Sequence, residues 1–293
     1  MSRTVAVVTP AFRAEATIVA TVQSLLAQSW TDWELWLVAD DGADYEAFLN
    51  ERGIADERIR FVASGGTGRG ASLARNVALD RITAPFVGIL DADDRMKPDK
   101  LARVVGALAE YPVVTTALEV MTEDFQHLRY VGHGPDRELT PGSHKWVSLS
   151  MDSMVAWDRR RTDARYDPTL SNMTDLELLL QLWRQAPVSM HLGAPLHDYV
   201  KRSQSMSNGK DVAAGMIRSK TEILRRLREG HYGLPEAEVA GVARFLDVSL
   251  DAERAYGAAL AANPGLLFED HLEPRLRAAR AGMNEHEREK TGG

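Results

Sequence analysis

The chain has 293 residues, 44% of them apolar, with no cysteine and a formal net charge of −7. That length suits one large α/β domain with a helical appendage. The missing cysteine excludes disulfides, thiolate zinc sites and cysteine nucleophiles, and the acidic balance argues against nucleic-acid binding through phosphates.

The elements alternate from the start. Val5 to Thr9 predicts a strand stopped by Pro10. Ile18, Val22, Leu25 and Leu26 recur at helical spacing. Trp33 to Ala39 predicts a second strand, ending at Asp40-Asp41-Gly42, and Asp44 to Arg52 a helix closed by Gly53. Arg60 to Ala63 predicts a third strand, with a loop from Ser64 to Gly70 and a helix carrying Leu73, Ala74, Val77, Ala78 and Ile82. Pro85 to Leu90 is an apolar run with a sharp polar stop at Asp91-Ala92-Asp93-Asp94, the pattern of a strand buried in a parallel sheet. A helix is expected from Pro98, with Leu101, Val104, Val105 and Leu108 inward, then a strand from Pro112 to Leu118. Strands separated by helices of this length imply βαβ units and a mainly parallel sheet.

Residues 120–170 read as less regular and rich in Gly, Pro, His and Asp, the kind of stretch that is often functional. Asp175 to Gln185 predicts a helix and Val188 to Leu192 a strand. After Gly209 only amphipathic helical stretches follow: Met216 to Glu229, Glu236 to Leu250 and Asp251 to Ala262. The expected organisation is an α/β domain over 1–208 (parts 1–118 and 119–208), a helical extension over 209–283, and a disordered tail over 284–293. No run approaches the roughly 20 apolar residues of a membrane span. The N-terminus runs straight into Pro10, unlike a signal peptide. A cytoplasmic protein is expected, with peripheral contact at the inner membrane face left open.

Three carboxylates within Asp91-Ala92-Asp93-Asp94 repel one another unless a cation sits among them. A hard divalent ion such as Mg2+ or Mn2+ would take those oxygens and keep room for phosphate, although Asp is also common in solvated turns. Pro10-Ala11-Phe12, Asp40-Asp41-Gly42 and the acidic cluster should leave strand ends on one sheet edge, where open α/β sheets bind ligands.

With these motifs the chain resembles glycosyltransferase family 2, inverting nucleotide-sugar transferases of the GT-A fold, from Thr4 to Ser207. The resemblance lies in Val7 to Phe12, Ser24 to Ser29, Asp32 to Leu35, Asp40-Asp41-Gly42, Ala74-Arg75-Asn76, Leu90 to Asp94, and Thr174-Asp175 heading a Leu-rich helix. It implies a Rossmann-like α/β sheet flanked by helices. It also implies a nucleotide-sugar donor, UDP-linked, and a saccharide or lipid-linked acceptor. Pro10 and Phe12 would lie against the base, Asp41 would contact it, and Arg75 and Asp91 would sit near ribose and diphosphate. Asp93 would coordinate Mg2+ or Mn2+, and Asp175 would be the general base, with Glu177 as backup. Lys201 and Arg202, where many members carry a His, would face the diphosphate. Thr174 replaces the family's usual Glu, and Ala43 its usual Ser.

Two other readings stand beside this one. Gly66-Thr67-Gly68-Arg69-Gly70-Ala71 matches a dinucleotide-binding pattern, with Asp91 about 20 residues on, as in an NAD-dependent oxidoreductase. A non-catalytic sugar-nucleotide binder is the other. Trp146 and Trp157 are expected either beside the acceptor or in plain core. The apolar faces of the extension, with Ile223, Leu224 and Leu227, would pack internally, make a homodimer or rest on a membrane.

Overall fold

The computed structural model describes residues 2–147, 152–201 and 212–282. Ten strands and nine helices lie among them: β1 (Val5–Ala11), α1 (Ile18–Leu26), β2 (Trp33–Ala39), α2 (Tyr45–Asn50), β3 (Ile59–Ala63), α3 (Ala71–Leu79), β4 (Phe86–Ile89), β5 (Arg95–Met96), α4 (Lys100–Leu108), β6 (Val113–Met121), β7 (His127–Val131), β8 (Arg137–Leu139), α5 (Pro141–Val147), β9 (Val155–Asp158), α6 (Thr174–Leu182), β10 (Ser189–Val200), α7 (Val212–Arg228), α8 (Glu236–Ala262) and α9 (Phe268–Ala281). The disordered tail expected over 284–293 lies outside the described residues.

The architecture is α/β, with a central sheet in the order β3-β2-β1-β4-β9-β6-β10-β5. β3, β2, β1 and β4 are parallel. β1 and β4 are buried almost throughout, as strands covered on both faces require, while β2 is only partly buried and the edge strand β3 largely uncovered. β9 then enters antiparallel to both β4 and β6, so β6 runs with β4, and β10 runs parallel to β6. The sheet is therefore parallel in its N-terminal half and mixed beyond it. β9 presents its beginning, and β1, β2, β4 and β10 their ends, at one edge.

Some details depart from expectation. Strand β1 continues through Pro10, which pairs with Val38. Leu90 N–H donates to Val8 O on the β4 side, and Asp40 N–H to Ala11 O on the β2 side. Pro10 thus points its donorless nitrogen to the β4 side, where pairing has ended at Val8 with Ile89, so no ladder bond is lost. The segment 120–170 is more ordered than its composition suggests, with β7, β8, α5 and β9 in it. β7 is mostly exposed and lacks clean alternation, so it carries little hydrophobic signal. α8 runs unbroken where two helices were expected. α9 contains Pro274, a residue that argues against a helix interior.

Two units divide the chain: Met1–Glu138 with Ser150–Thr169 and Thr174–Arg202, and Leu139–Leu149 with Leu170–Met173 and Ser203–Gly293. The second unit thus takes the C-terminal helices and, in addition, α5, a helix that the expected boundary near 208 leaves on the other side. Its α5 lies on α8. Gly142 N–H donates to Glu238 Oε2 at 2.7 Å, and Trp146 Nε1–H to Gly241 O at 3.2 Å, with the Trp146 ring edge-on to Phe245. The backbones touch: a Cβ on Gly241 would fall 2.6 Å from Gly142 Cα. Trp146 is therefore packing within this unit. Trp157, fully buried on β9, is core of the sheet unit. Lys220 is buried with Glu253 at 2.7 Å and Ser249 at 2.7 Å. Ile223, Leu224 and Leu227 are buried too. Ile223→Val, which deletes one buried methylene, should cost about 1 kcal/mol. A shifted urea midpoint at constant slope would register it, and an unchanged midpoint would count against this packing. Among the described residues no helix is long and apolar enough to cross a membrane.

Candidate active site

The parallel strands deliver their motifs to one sheet edge. At the end of β1, Phe12 is exposed and Arg13 takes a left-handed backbone conformation, φ 52°. Asp41, just beyond β2, explains that turn. Its Oδ2 accepts Arg13 N–H at 2.5 Å and the Tyr45 hydroxyl at 2.8 Å, and its Oδ1 accepts Ala43 N–H at 3.0 Å. Burial works against ionisation of Asp41, but these donors outweigh it and lower its pKa. These donors take up most of the roughly four lone-pair sites of the carboxylate. Pro10 and Phe12 stand beside this turn, and a Cβ on Gly68 would lie 3.8 Å from the Phe12 ring.

Asp40, the neighbouring acid, turns inward. It accepts the Ser64 hydroxyl at 2.6 Å, Arg69 N–H at 3.1 Å and Gly70 N–H at 2.8 Å. A carboxylate is thus already seated against the loop that leads into α3, where a dinucleotide would place its pyrophosphate. The loop Gly66 to Ala71 also follows β3, the edge strand, whereas a dinucleotide crevice opens where strand order reverses. Both observations count against the oxidoreductase reading.

The loop after β4 is clamped by α1. Thr21 Oγ1 donates to Ala92 O at 2.9 Å, Ser24 Oγ accepts Met96 N–H at 3.1 Å, and Gln28 bonds Lys97 O at 2.9 Å and Leu101 N–H at 3.0 Å. This gives the Ser24 to Ser29 motif its physical task. Asp91 and Asp93 stay partly exposed, but Asp94 is buried. It accepts Val200 N–H at 3.1 Å and bonds His197 Nε2 at 2.9 Å, while Lys100 Nζ reaches His197 Nδ1 at 3.2 Å and Ser153 O at 2.5 Å. Burial raises the Asp94 pKa, drives that of His197 well down, and lowers that of Lys100 to about 7. The cluster therefore offers two carboxylates to a ligand, where the sequence suggested three. Asp94 ties the loop to β10. One signal for this network was readable: Lys100 falls at i, i+4, i+8 with Val104 and Leu108, a charge on an apolar stripe.

Arg75 is buried on α3 and forms the centre of the site. Its Nη2 donates to Asp91 Oδ1 at 2.5 Å and its Nη1 to Asp152 Oδ2 at 2.9 Å, with the guanidinium 4.9 Å from the Tyr166 ring. Burial opposes its charge, but Asp152 and Asp91 more than restore it, so its pKa is raised. Next to it, Asn76 exchanges two hydrogen bonds with the Tyr166 backbone, 2.8 and 2.9 Å. Asp152 lies in the 3-10 turn Asp152–Met154 that opens β9. It also accepts the Thr174 hydroxyl at 3.1 Å. Thr174 opens α6, and Asp175 follows in its first turn, 8% exposed. Burial raises the Asp152 pKa to about 6; Arg75 opposes this, and Asp175 and Asp91 add to it. Asp152 was not singled out from the sequence, because nothing in its irregular segment marks it. Glu177, the backup base, is buried and accepts from Gln181 Nε2 at 2.7 Å.

Lys201 follows β10 at the same sheet edge, its N–H donating to Met121 O at 2.8 Å. Arg202 lies outside the described residues. Among the described residues no three acidic or imidazole side chains form a metal cage. Asp91 and Asp93 are hard oxygen donors at an accessible edge. They fit a divalent ion of the Mg2+ type, held through one or two carboxylates and completed by phosphate oxygens and water.

The chain is similar to known proteins in sequence and in fold. A family model described as glycosyl transferase family 2 matches residues 6–149. A Bacillus subtilis protein named as a teichuronic acid biosynthesis glycosyltransferase, TuaG, is 30% identical over 213 residues, covering 72% of this chain and 84% of its own. The Escherichia coli glucosyltransferase WfgD, named for transfer from UDP-Glc to a GlcNAc-diphosphoundecaprenol, is 35% identical over 97 residues, 33% of this chain and 38% of its own. Among solved structures, S. aureus TarS 1–349 in complex with UDP-GlcNAc superposes with a TM-score of 0.67 at 17% identity, over 98% of this chain and 83% of that one. The Pyrobaculum calidifontis mannosyltransferase PcManGT with GDP-Man and Mn2+ gives 0.58 at 16%, over 98% and 82%.

Proposed function

The chain belongs to glycosyltransferase family 2, and on that premise we propose that it moves a hexose from a nucleotide diphosphate sugar, UDP-linked, to an acceptor hydroxyl. The reaction inverts the anomeric carbon, depends on Mg2+ or Mn2+, and serves polysaccharide or glycoconjugate synthesis. One observation carries the reading: direct hydrogen bonds from Arg75 to Asp91 and Asp152 and from Thr174 to Asp152 join the acidic loop after β4 to the start of the Asp175 helix.

In this reading Phe12 lies along the base, and Asp41 contacts the base edge. Arg75 and Asp91 face ribose and diphosphate, and Lys201 and Arg202 add positive charge there. Asp93, with Asp91 beside it, would hold the divalent ion, which when bound stabilises charge on the departing diphosphate. Asp175 takes the acceptor's proton as its oxygen attacks. A carboxylate of modest basicity suffices, because the hydroxyl becomes acidic only during attack. Base and leaving group on opposite faces of the sugar give a single displacement and hence inversion. A UDP-linked donor is favoured by the UDP-Glc in the name of WfgD and the UDP-GlcNAc held by TarS. Teichuronic acid and GlcNAc-diphosphoundecaprenol in the relatives' names favour a saccharide or lipid-linked acceptor.

Titration calorimetry with UDP, GDP and NAD, each with and without Mn2+, tests the donor. UDP should bind, and more tightly with metal. Heat from NAD with none from UDP or GDP would overturn the proposal.

A further inference from the structure

One carboxylate that joins the two sides of the site has no chemical role in the reading above. We propose that Asp152 is a positioning residue: through one carboxylate oxygen it holds both the donor-side guanidinium of Arg75 and the start of the helix that carries Asp175. The inference rests on the proposed transferase reading and deepens it.

Asp152 is itself fixed from behind. Ser153, next in the turn, accepts Asp91 N–H on its hydroxyl at 3.0 Å, and its carbonyl takes Lys100 Nζ. The turn is therefore bound both to the acidic loop and to α4. Asp152 Oδ2 then accepts Arg75 Nη1 and Thr174 Oγ1, from two different helices. Its side chain is only 13% exposed. Asp152 thereby sets where Arg75 points. With Asp152 present, the guanidinium fork is split between two carboxylates. Without it, the fork is free to close bidentately on Asp91, the geometry Arg and carboxylate prefer. That would draw Asp91 away from ligand and loosen the α6 start at once.

The test pairs binding with turnover. In Asp152→Asn, UDP affinity measured by calorimetry with Mn2+ should fall roughly 10-fold, in line with loss of a charge-assisted hydrogen bond, and turnover should fall further. Asp152→Glu should recover part of both. In an Arg75→Ala background, Asp152→Asn should change UDP affinity by less than about two-fold, since its route to the nucleotide runs through Arg75. Parental affinity and turnover in Asp152→Asn would overturn the inference, as would full additivity with Arg75→Ala. Should Asp152→Asn fail to fold, Thr174→Val takes its place. It should slow turnover several-fold at unchanged UDP affinity, and parental turnover there would also overturn the inference. A parent chain that binds neither UDP nor GDP would remove the donor assignment and this inference with it. Normal binding and turnover by the parent, unaltered in Asp152→Asn, would remove the inference alone.

Discussion

Asp175→Asn is expected to lower turnover by about 100-fold or more, the usual contribution of a positioned general base, while UDP binds nearly as before. The substitution keeps shape and volume at a site only 8% exposed, so packing of the first turn of α6 survives. What disappears is the proton acceptor. The hydrogen bonds that orient Arg75 run to Asp91 and Asp152, which explains the spared nucleotide affinity. Turnover on a verified acceptor, set beside a calorimetric UDP isotherm, separates the two effects. An Asn variant within a few-fold of the parent would remove Asp175 from the base role and pass attention to Glu177.

Asp93→Ala should abolish the metal response. Its turnover in saturating Mn2+ should equal that of the parent after chelation, and its UDP isotherm should be the same with and without metal. The neighbouring Asp94 provides the contrast. It is buried against His197 and the Val200 N–H, so Asp94→Ala should leave those donors unsatisfied and cost about 1–3 kcal/mol of stability, with the Mn2+ response kept in the folded fraction. A metal-dependent isotherm in Asp93→Ala would place the ion elsewhere.

How much of this was legible beforehand follows from where each signal resides. The parallel strands announce themselves because both faces are covered, so Val5 to Val8 and Phe86 to Leu90 read as unbroken apolar runs. The acids at their ends were visible for the same reason: a buried strand must stop, and Asp40, Asp41, Asp91 and Asp93 mark the stops. Asp94 looked like its neighbours because sequence does not record which way a side chain turns at a loop. Asp152 was invisible for another reason. Its importance comes from β9 running antiparallel between β4 and β6, and four residues of strand carry no pattern that reveals direction. The middle segment read as irregular because β7 is an exposed strand beside β6, and Pro274 concealed α9.

The arginine at the centre of the site carries a consequence for how the protein comes into being. Arg75 sits in the N-terminal half, yet one of its two carboxylate partners lies 77 positions further along and Thr174 another 22 beyond that. During synthesis, the first half of the sheet emerges with a guanidinium that must be buried before half of its neutralising charge exists. A buried cation missing a counter-charge is costly, and contacts this distant in sequence close slowly. The nucleotide half, for all its regular βαβ pattern, is therefore poorly suited to life as a free-standing module. The ability to bind a donor should appear only after the strand that begins at Val155 has been laid into the sheet.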